Sequence, residues 1–130
     1  MCPPARGFTG RYIVVADEDR TVVGMVIDTL LLEGHAVFQT RDGRSAIELA
    51  CSLRVCDLVI SDTRVGGRPG VELIGQLRSR LPTIPFLYLA SQGRSTPELE
   101  RGLPDDVVIL REPFTAETLL AAVRPLLTPG

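Results

Sequence analysis

Five short aliphatic runs alternate with longer segments in which apolar residues recur at helical spacing. The runs cover residues 12–16, 36–40, 58–61, 86–90 and 107–110. Short apolar runs bounded by turn residues indicate buried strands, and strands that alternate with helices pair in parallel. The pattern predicts an α/β fold with one parallel sheet covered on both faces, and 130 residues leave room for one such domain.

Helical patterns fill the intervals between the runs. We expect longer helices over about 20–33, 43–53, 71–81 and 115–127, and a short one near 98–101 in an otherwise polar segment. Short right-handed connections then favour a flavodoxin-like three-layer fold, with a five-stranded parallel sheet in the order 2-1-3-4-5 and five helices. Residues 1–10 are expected to be a flexible lead-in, and residues 11–130 a single domain.

Acidic residues follow two strands that this order makes neighbours. Asp17, Glu18 and Asp19 come after the first strand, and Asp62 ends the third. Parallel strands present their carboxyl ends at one edge of the sheet, so these side chains should converge there. Converging carboxylates repel one another, and a hard cation such as Mg²⁺ relieves the repulsion. The alternative is that these acids only mark turns, where Asp is common.

Composition narrows the classes of function. The net charge is -2, which supplies no positive field for direct binding to nucleic acid or an anionic membrane. No apolar stretch is long enough for a signal peptide or a membrane span. The three cysteines are odd in number and lack metal-ligand spacing, which is typical of reduced thiols in a cytoplasmic protein. His35, directly after Gly34, is interpreted as a structural residue at a helix end.

Several motifs, in order, resemble the receiver domain of two-component response regulators over about 11–127. They are the acidic pair Asp17-Glu18, Asp62 after the third strand, Gly67 and Gly70 in the next loop, and Pro113-Phe114 after the fifth strand.

The resemblance implies a role for each residue of the acidic edge. Asp62 would accept a phosphoryl group from a sensor histidine kinase or a phosphotransfer protein. Asp17, Glu18, Asp62 and the backbone carbonyl of Arg64 would hold Mg²⁺. A receiver of this kind is a phosphoacceptor that at most catalyses its own phosphoryl transfer, and its charge state changes how it binds a downstream protein.

Three positions depart from the family pattern. Ala90 stands where the family has a Ser or Thr hydroxyl, Ile109 where an aromatic switch residue is common, and Glu112 where a Lys precedes the Pro. Ser91 can supply the hydroxyl only if the fourth strand has ended before it, because adjacent strand residues face opposite ways. The family also implies a cis bond before Pro113, a geometry expected to direct Glu112 into the pocket.

The absence of Lys leaves arginine as a possible substitute for the missing cation. All 14 basic residues are Arg, and Arg64, Arg94 and Arg111 lie near the expected site. A guanidinium binds phosphoryl oxygens well, but its planar head needs more room than a Lys site offers. The alternative is that these arginines lie in loops and are solvated.

Two functions compete, and a third class is disfavoured. The first is a receiver phosphorylated on Asp62. The second is a pseudo-receiver, an interaction module that works without phosphorylation, as Ala90, Ile109 and Glu112 suggest. A nucleotide- or flavin-binding enzyme is disfavoured because the loop over 66–70 lacks the G-K-[ST] ending of a phosphate loop. No residue pattern indicates an oligomeric state.

Overall fold

Hydrophobic strands form the centre of the molecule. The computed structural model describes residues 10–18, 20–53 and 56–127, so the expected lead-in over 1–10 lies outside the described residues except for Gly10. In chain order the strands are β1 Tyr12–Ala16, β2 Ala36–Thr40, β3 Leu58–Asp62, β4 Arg64–Val65, β5 Arg68–Pro69, β6 Phe86–Ala90 and β7 Val108–Arg111.

The main sheet has the order β2-β1-β3-β6-β7, and all its neighbouring strands are parallel. Because β4 and β5 form a separate antiparallel hairpin, this is the predicted order 2-1-3-4-5 of the long strands. The flavodoxin-like fold is therefore confirmed. In the register of the central strands, Ala16 of β1 pairs with Ser61 of β3, and Asp62 of β3 pairs with Leu89 of β6.

Helices cover both faces of the sheet. They are α1 Arg20–Leu32, α2 Gly43–Ser52, α3 Gly70–Arg80, α4 Pro97–Glu100 and α5 Ala116–Leu127. Alternate residues of each strand enter opposite apolar clusters: Val14 packs on the face covered by α2 and α3, and Ile13 on the face covered by α1 and α5. Burial on both faces explains why the strands are continuous aliphatic runs.

Side chains fix the starts of three helices. Asp42 caps α2 by accepting a 2.8 Å hydrogen bond from the Ser45 N–H. At α4, the Thr96 hydroxyl accepts from the Leu99 N–H at 3.2 Å. Before α5, the Thr115 hydroxyl accepts from the Thr118 N–H at 3.2 Å, and the Thr118 hydroxyl accepts from the Thr115 N–H at 2.9 Å. These reciprocal bonds satisfy backbone donors that a helix start leaves open. No helix within the described ranges has the length and hydrophobicity needed to span a bilayer.

The glycine-rich segment after β3 is more ordered than its sequence indicates. We expected a loop, and the structure shows β4 and β5 joined by Gly66 and Gly67, whose φ angles are 59° and 77°. Positive φ suits glycine because it has no Cβ. A Cβ on Gly66 would also lie 2.7 Å from Asp42 Cβ, so this turn packs tightly against the start of α2.

Candidate functional site

Asp17 and Asp62 lie side by side at the carboxyl edge of the sheet. Ala16 pairs with Ser61; Asp17 directly follows β1, and Asp62 is the last residue of β3. Each is only 1% exposed, whereas Glu18 is half-buried. The structure thus brings together the two acids that the strand order placed at one edge, while Asp19 lies outside the described residues.

The backbone of Asp62 is closely packed, and the Asp62 carboxylate accepts a hydrogen bond from a hydroxyl. Ser61 Oγ donates to the Asp62 carbonyl at 2.9 Å, and a Cβ on Gly70 would lie 2.1 Å from that same oxygen. Ser91 Oγ donates to Asp62 Oδ1 at 3.0 Å. One oxygen of the candidate phosphoacceptor therefore already carries a hydrogen bond from a side chain of the neighbouring strand end.

Ser91 reaches Asp62 because β6 ends at Ala90. Ser91 could replace the hydroxyl that Ala90 lacks only if the fourth strand ended before residue 91, and the structure meets this condition. Thr63, only 1% exposed, holds the strand end: its Oγ1 donates to the Leu89 carbonyl at 2.8 Å and accepts from the Ser91 N–H at 2.7 Å. Sequence reasoning missed Thr63, because a threonine after a strand does not reveal which backbone groups its hydroxyl will bridge.

Ala90 and Ile109 both belong to the apolar packing on the α2 and α3 face. Ile109 pairs in register with Tyr88, which is fully buried. The Tyr88 hydroxyl lies 2.9 Å from Ser95 Oγ, which in turn donates to Glu100 at 2.7 Å. The aromatic ring in this region therefore lies on β6 and is already hydrogen-bonded through its hydroxyl.

Glu112 stands at the same edge of the sheet. Its N–H donates to the Ala90 carbonyl at 3.0 Å, and the Glu112-Pro113 bond is cis as the family pattern implied. Glu112 Oε2 is buried without a hydrogen-bond partner. Neither Glu112 nor Asp62 forms an ion pair with any residue that the structure describes. A buried carboxylate oxygen thus lies where the family pattern has a Lys.

The three nearby arginines engage other groups or solvent. Arg111 pairs with Glu100 through contacts of 3.0 and 2.5 Å, and this ion pair with the Ser95 hydrogen bond holds the pKa of Glu100 below its usual value. The Arg64 guanidinium donates to the Gly67 carbonyl. Arg94 is exposed. The described side chains therefore supply no guanidinium to Asp62.

The donor set at this edge suits a hard cation. Carboxylate and carbonyl oxygens are the ligands that Mg²⁺ prefers, and Asp17 and Asp62 are both buried acids at adjacent strand ends. Within the described ranges, no group of three His, Cys, Asp or Glu side chains is arranged to hold a metal ion. Mg²⁺ usually keeps several waters, so two carboxylates with a backbone carbonyl suffice as protein ligands.

Comparisons with known proteins point to one family. The sequence model described as response regulator receiver domain matches residues 13–124. The response regulator FleR of Pseudomonas aeruginosa is 32% identical over 114 residues, which cover 85% of this chain and 23% of that protein. MprA of Mycolicibacterium vanbaalenii is 37% identical over 118 residues, covering 88% of this chain and 49% of that one. The chain therefore spans half or less of these curated relatives.

Solved structures show the same fold over nearly the whole chain. The chemotaxis response regulator CheY4 of Vibrio cholerae matches with a TM-score of 0.77 and 27% identity. The match covers 91% of this chain and 99% of the CheY4 chain. A response regulator receiver protein from Sinorhizobium medicae has a TM-score of 0.80 and 28% identity, with coverages of 92% and 95%. The chain belongs to the response regulator receiver domain family, whose members are phosphorelay signalling modules of two-component systems.

Proposed function

We propose that this chain is a signalling receiver that accepts a phosphoryl group on Asp62 in the presence of Mg²⁺. Receiver domains are typically phosphorylated by histidine kinases and generally bind Mg²⁺ at their acidic site. Here the donor would be a sensor histidine kinase or a phosphotransfer protein. The added charge would change how the surface formed by β6, α4 and β7 binds a downstream protein.

The observation that carries the proposal is the burial of Asp17 beside Asp62 at the carboxyl edge. In the transfer, a lone pair of an Asp62 carboxylate oxygen forms the new O–P bond. The P–N bond to the donor imidazole breaks, and its electron pair stays with the imidazole. Such transfer depends mainly on positioning and on neutralising charge, because the protein contributes little covalent chemistry beyond the nucleophile.

Other groups at the carboxyl edge would bind the metal ion or fix the backbone that carries Asp62. Asp17, Asp62 and the Arg64 carbonyl would hold the cation, which would lower repulsion between the acceptor and the phosphoryl oxygens. Glu18, which the sequence also assigned to the metal, is not arranged with these two acids as a three-carboxylate site. The close contact of Gly70 with the Asp62 carbonyl fixes the backbone that carries the nucleophile. Exclusion of water from Asp62, which is 1% exposed, strengthens each of these electrostatic contacts.

Phosphorylation by a small-molecule donor tests this function directly. The chain is incubated with acetyl phosphate and Mg²⁺, and its intact mass is measured. We expect a gain of one phosphoryl group, and none in Asp62→Asn, whose amide is not a nucleophile for this reaction. Equal labelling of the Asn variant would show that Asp62 is not the acceptor.

The pseudo-receiver is the second candidate, and Glu112 favours it. A buried carboxylate oxygen without a partner at the edge that carries Asp62 opposes the arrival of a phosphoryl group. If this function is correct, the chain stays unlabelled by acetyl phosphate with Mg²⁺, and Asp62→Asn binds the downstream protein as the unchanged chain does.

A further inference from the structure

The hydroxyl at the candidate acceptor comes from Ser91, one residue beyond the position at which the family carries it. Its Oγ donates to Asp62 Oδ1 at 3.0 Å, while Ala90 packs in the apolar cluster. We propose that Ser91 Oγ hydrogen-bonds the phosphoryl group of phosphorylated Asp62, and that Thr63 is the residue that positions it. This inference rests on the proposed phosphorylation of Asp62.

Thr63 determines where Ser91 points because it binds both sides of the strand end. Asp62 is the last residue of β3 to pair with β6, and its partner is Leu89. Beyond this pair, Thr63 Oγ1 donates to the Leu89 carbonyl at 2.8 Å and accepts from the Ser91 N–H at 2.7 Å. One hydroxyl therefore holds the backbone groups on either side of Ala90.

This bridge ends the alternation of side chains along β6. In a continuing strand, residues 90 and 91 would face opposite sides of the sheet. Ala90 keeps the side of Phe86 and Tyr88 in the α2 and α3 cluster, and Ser91 lies outside the strand with its hydroxyl on Asp62. Thr63 donates one hydrogen bond and accepts one in the bridge, and because it is only 1% exposed, solvent does not compete for its hydroxyl.

The Ser91 hydroxyl has a stronger acceptor available after transfer. When an Asp62 oxygen bonds to phosphorus, the carboxylate loses its charge and the phosphoryl oxygens carry it instead. A hydroxyl donates more strongly to a charged oxygen than to a neutral one. The hydrogen bond therefore moves to the phosphoryl group, and removing such a donor slows transfer by roughly tenfold to a hundredfold.

Four variants of the full chain test the proposal. Ser91→Ala removes the donor. Thr63→Val removes the bridging hydroxyl but keeps the shape of the threonine side chain, whereas Thr63→Ser keeps the hydroxyl. The double variant combines Ser91→Ala with Thr63→Val. The labelling rate with acetyl phosphate and Mg²⁺ is followed by intact mass. Fluorine NMR of the chain with beryllium fluoride and Mg²⁺ monitors hydrogen bonds to a phosphoryl mimic on the carboxylate.

Two matched controls remove a hydroxyl elsewhere. Ser95→Ala deletes a serine of the same loop, whose hydroxyl contacts Tyr88 and Glu100. Thr29→Val deletes a threonine that is 8% exposed in α1 and contacts Met25. Both controls are expected to label at the rate of the unchanged chain, and melting curves establish that each variant is folded.

The expected result is that Ser91→Ala and Thr63→Val each label about tenfold more slowly and change the fluorine spectrum. Thr63→Ser should restore the rate, and Thr63→Val should add nothing in the Ser91→Ala background, because Thr63 acts through Ser91. Normal labelling of Ser91→Ala, or additive losses in the double variant, would overturn the proposal. If the unchanged chain does not label, it is the proposed phosphorylation that fails.

Discussion

Among single residues, Glu112 has an unusual environment for a carboxylate side chain. Its carboxylate oxygen Oε2 is buried without a hydrogen-bond partner, and its N–H binds the carbonyl of Ala90 next to Ser91. A buried polar atom without a partner lowers stability, and a charged one does so more strongly. The same negative charge adds to the attraction that the edge exerts on a cation.

Glu112→Lys should therefore have opposite effects on folding and on metal binding. Without metal, we expect the free energy of unfolding to rise by about 1–3 kcal/mol, because the substitution removes a carboxylate whose Oε2 is buried without a partner at the edge that carries Asp17 and Asp62. Mg²⁺ affinity should fall, because the new charge repels the cation. Denaturant unfolding in EDTA and calorimetric Mg²⁺ titration measure these two quantities.

Asp105→Lys is the control for the overall change in charge. Asp105 is exposed in the loop before β7, so it shares the charge change but not the buried environment. It should leave both quantities nearly unchanged. If Glu112→Lys behaves like this control, the Glu112 carboxylate does not act on the metal site.

At the scale of elements, the start of α3 is constrained by the strand that carries Asp62. Gly70 N–H donates to the Thr63 carbonyl at 2.7 Å, and a Cβ at Gly70 would lie 2.1 Å from the Asp62 carbonyl and 2.6 Å from Ser61 Oγ. Because both contacts are closer than real Cβ atoms permit, the helix and the strand end cannot both keep their places if residue 70 has a side chain.

Gly70→Ala should destabilise the chain by roughly 1–3 kcal/mol, the usual result of overpacking a tight contact. Gly75→Ala, in the same helix, should instead stabilise it by up to about 1 kcal/mol, because nothing lies within 4 Å of its Cβ position and alanine favours helices. Denaturant unfolding of both variants distinguishes a clash at one position from a general effect of glycine replacement. Equal effects at the two positions would contradict the clash.

The sequence could predict the strands and helices, but it could not predict individual contacts between them. Three strand ranges, 12–16, 36–40 and 86–90, match the prediction to the residue, because each is a short, mostly buried apolar run bounded by turn or helix residues. The β4–β5 hairpin and the Thr63 bridge were not predicted. They depend on where a turn or a hydroxyl lies relative to another strand, and periodicity carries no such information.

For the whole molecule, the two apolar clusters share one sheet, so the domain is expected to unfold as a unit. A local change in protonation or ligation therefore alters the stability of the whole domain.

His35 makes this stability depend on pH. Its Nδ1 accepts from the Arg11 N–H at 3.0 Å, and burial lowers the pKa of the imidazole below 6.5.

Stability should therefore decrease as the pH falls below about 6.5, because the unfolded chain then binds a proton that the folded chain resists. His35 is the only histidine, so few other groups titrate between pH 7 and 5.5. His35→Asn keeps an acceptor for the Arg11 N–H and removes the titration. Thermal melts across this pH range should show a decline in the unchanged chain and a flatter profile in the variant; parallel profiles would contradict this assignment.

Metal binding at the acidic edge should also stabilise the whole domain. A ligand that binds only the folded state stabilises it by about 2.7 kcal/mol at a hundredfold excess over its Kd. Mg²⁺ should therefore raise the melting temperature, and EDTA should reverse the rise. Asp17→Asn should abolish the response, since it removes one of two buried carboxylates at adjacent strand ends. Asp105→Asn, an equal charge change at an exposed position, should retain it. A full Mg²⁺ response in Asp17→Asn would mean that the ion binds elsewhere, because the carboxyl edge would then lack one of its two buried ligands.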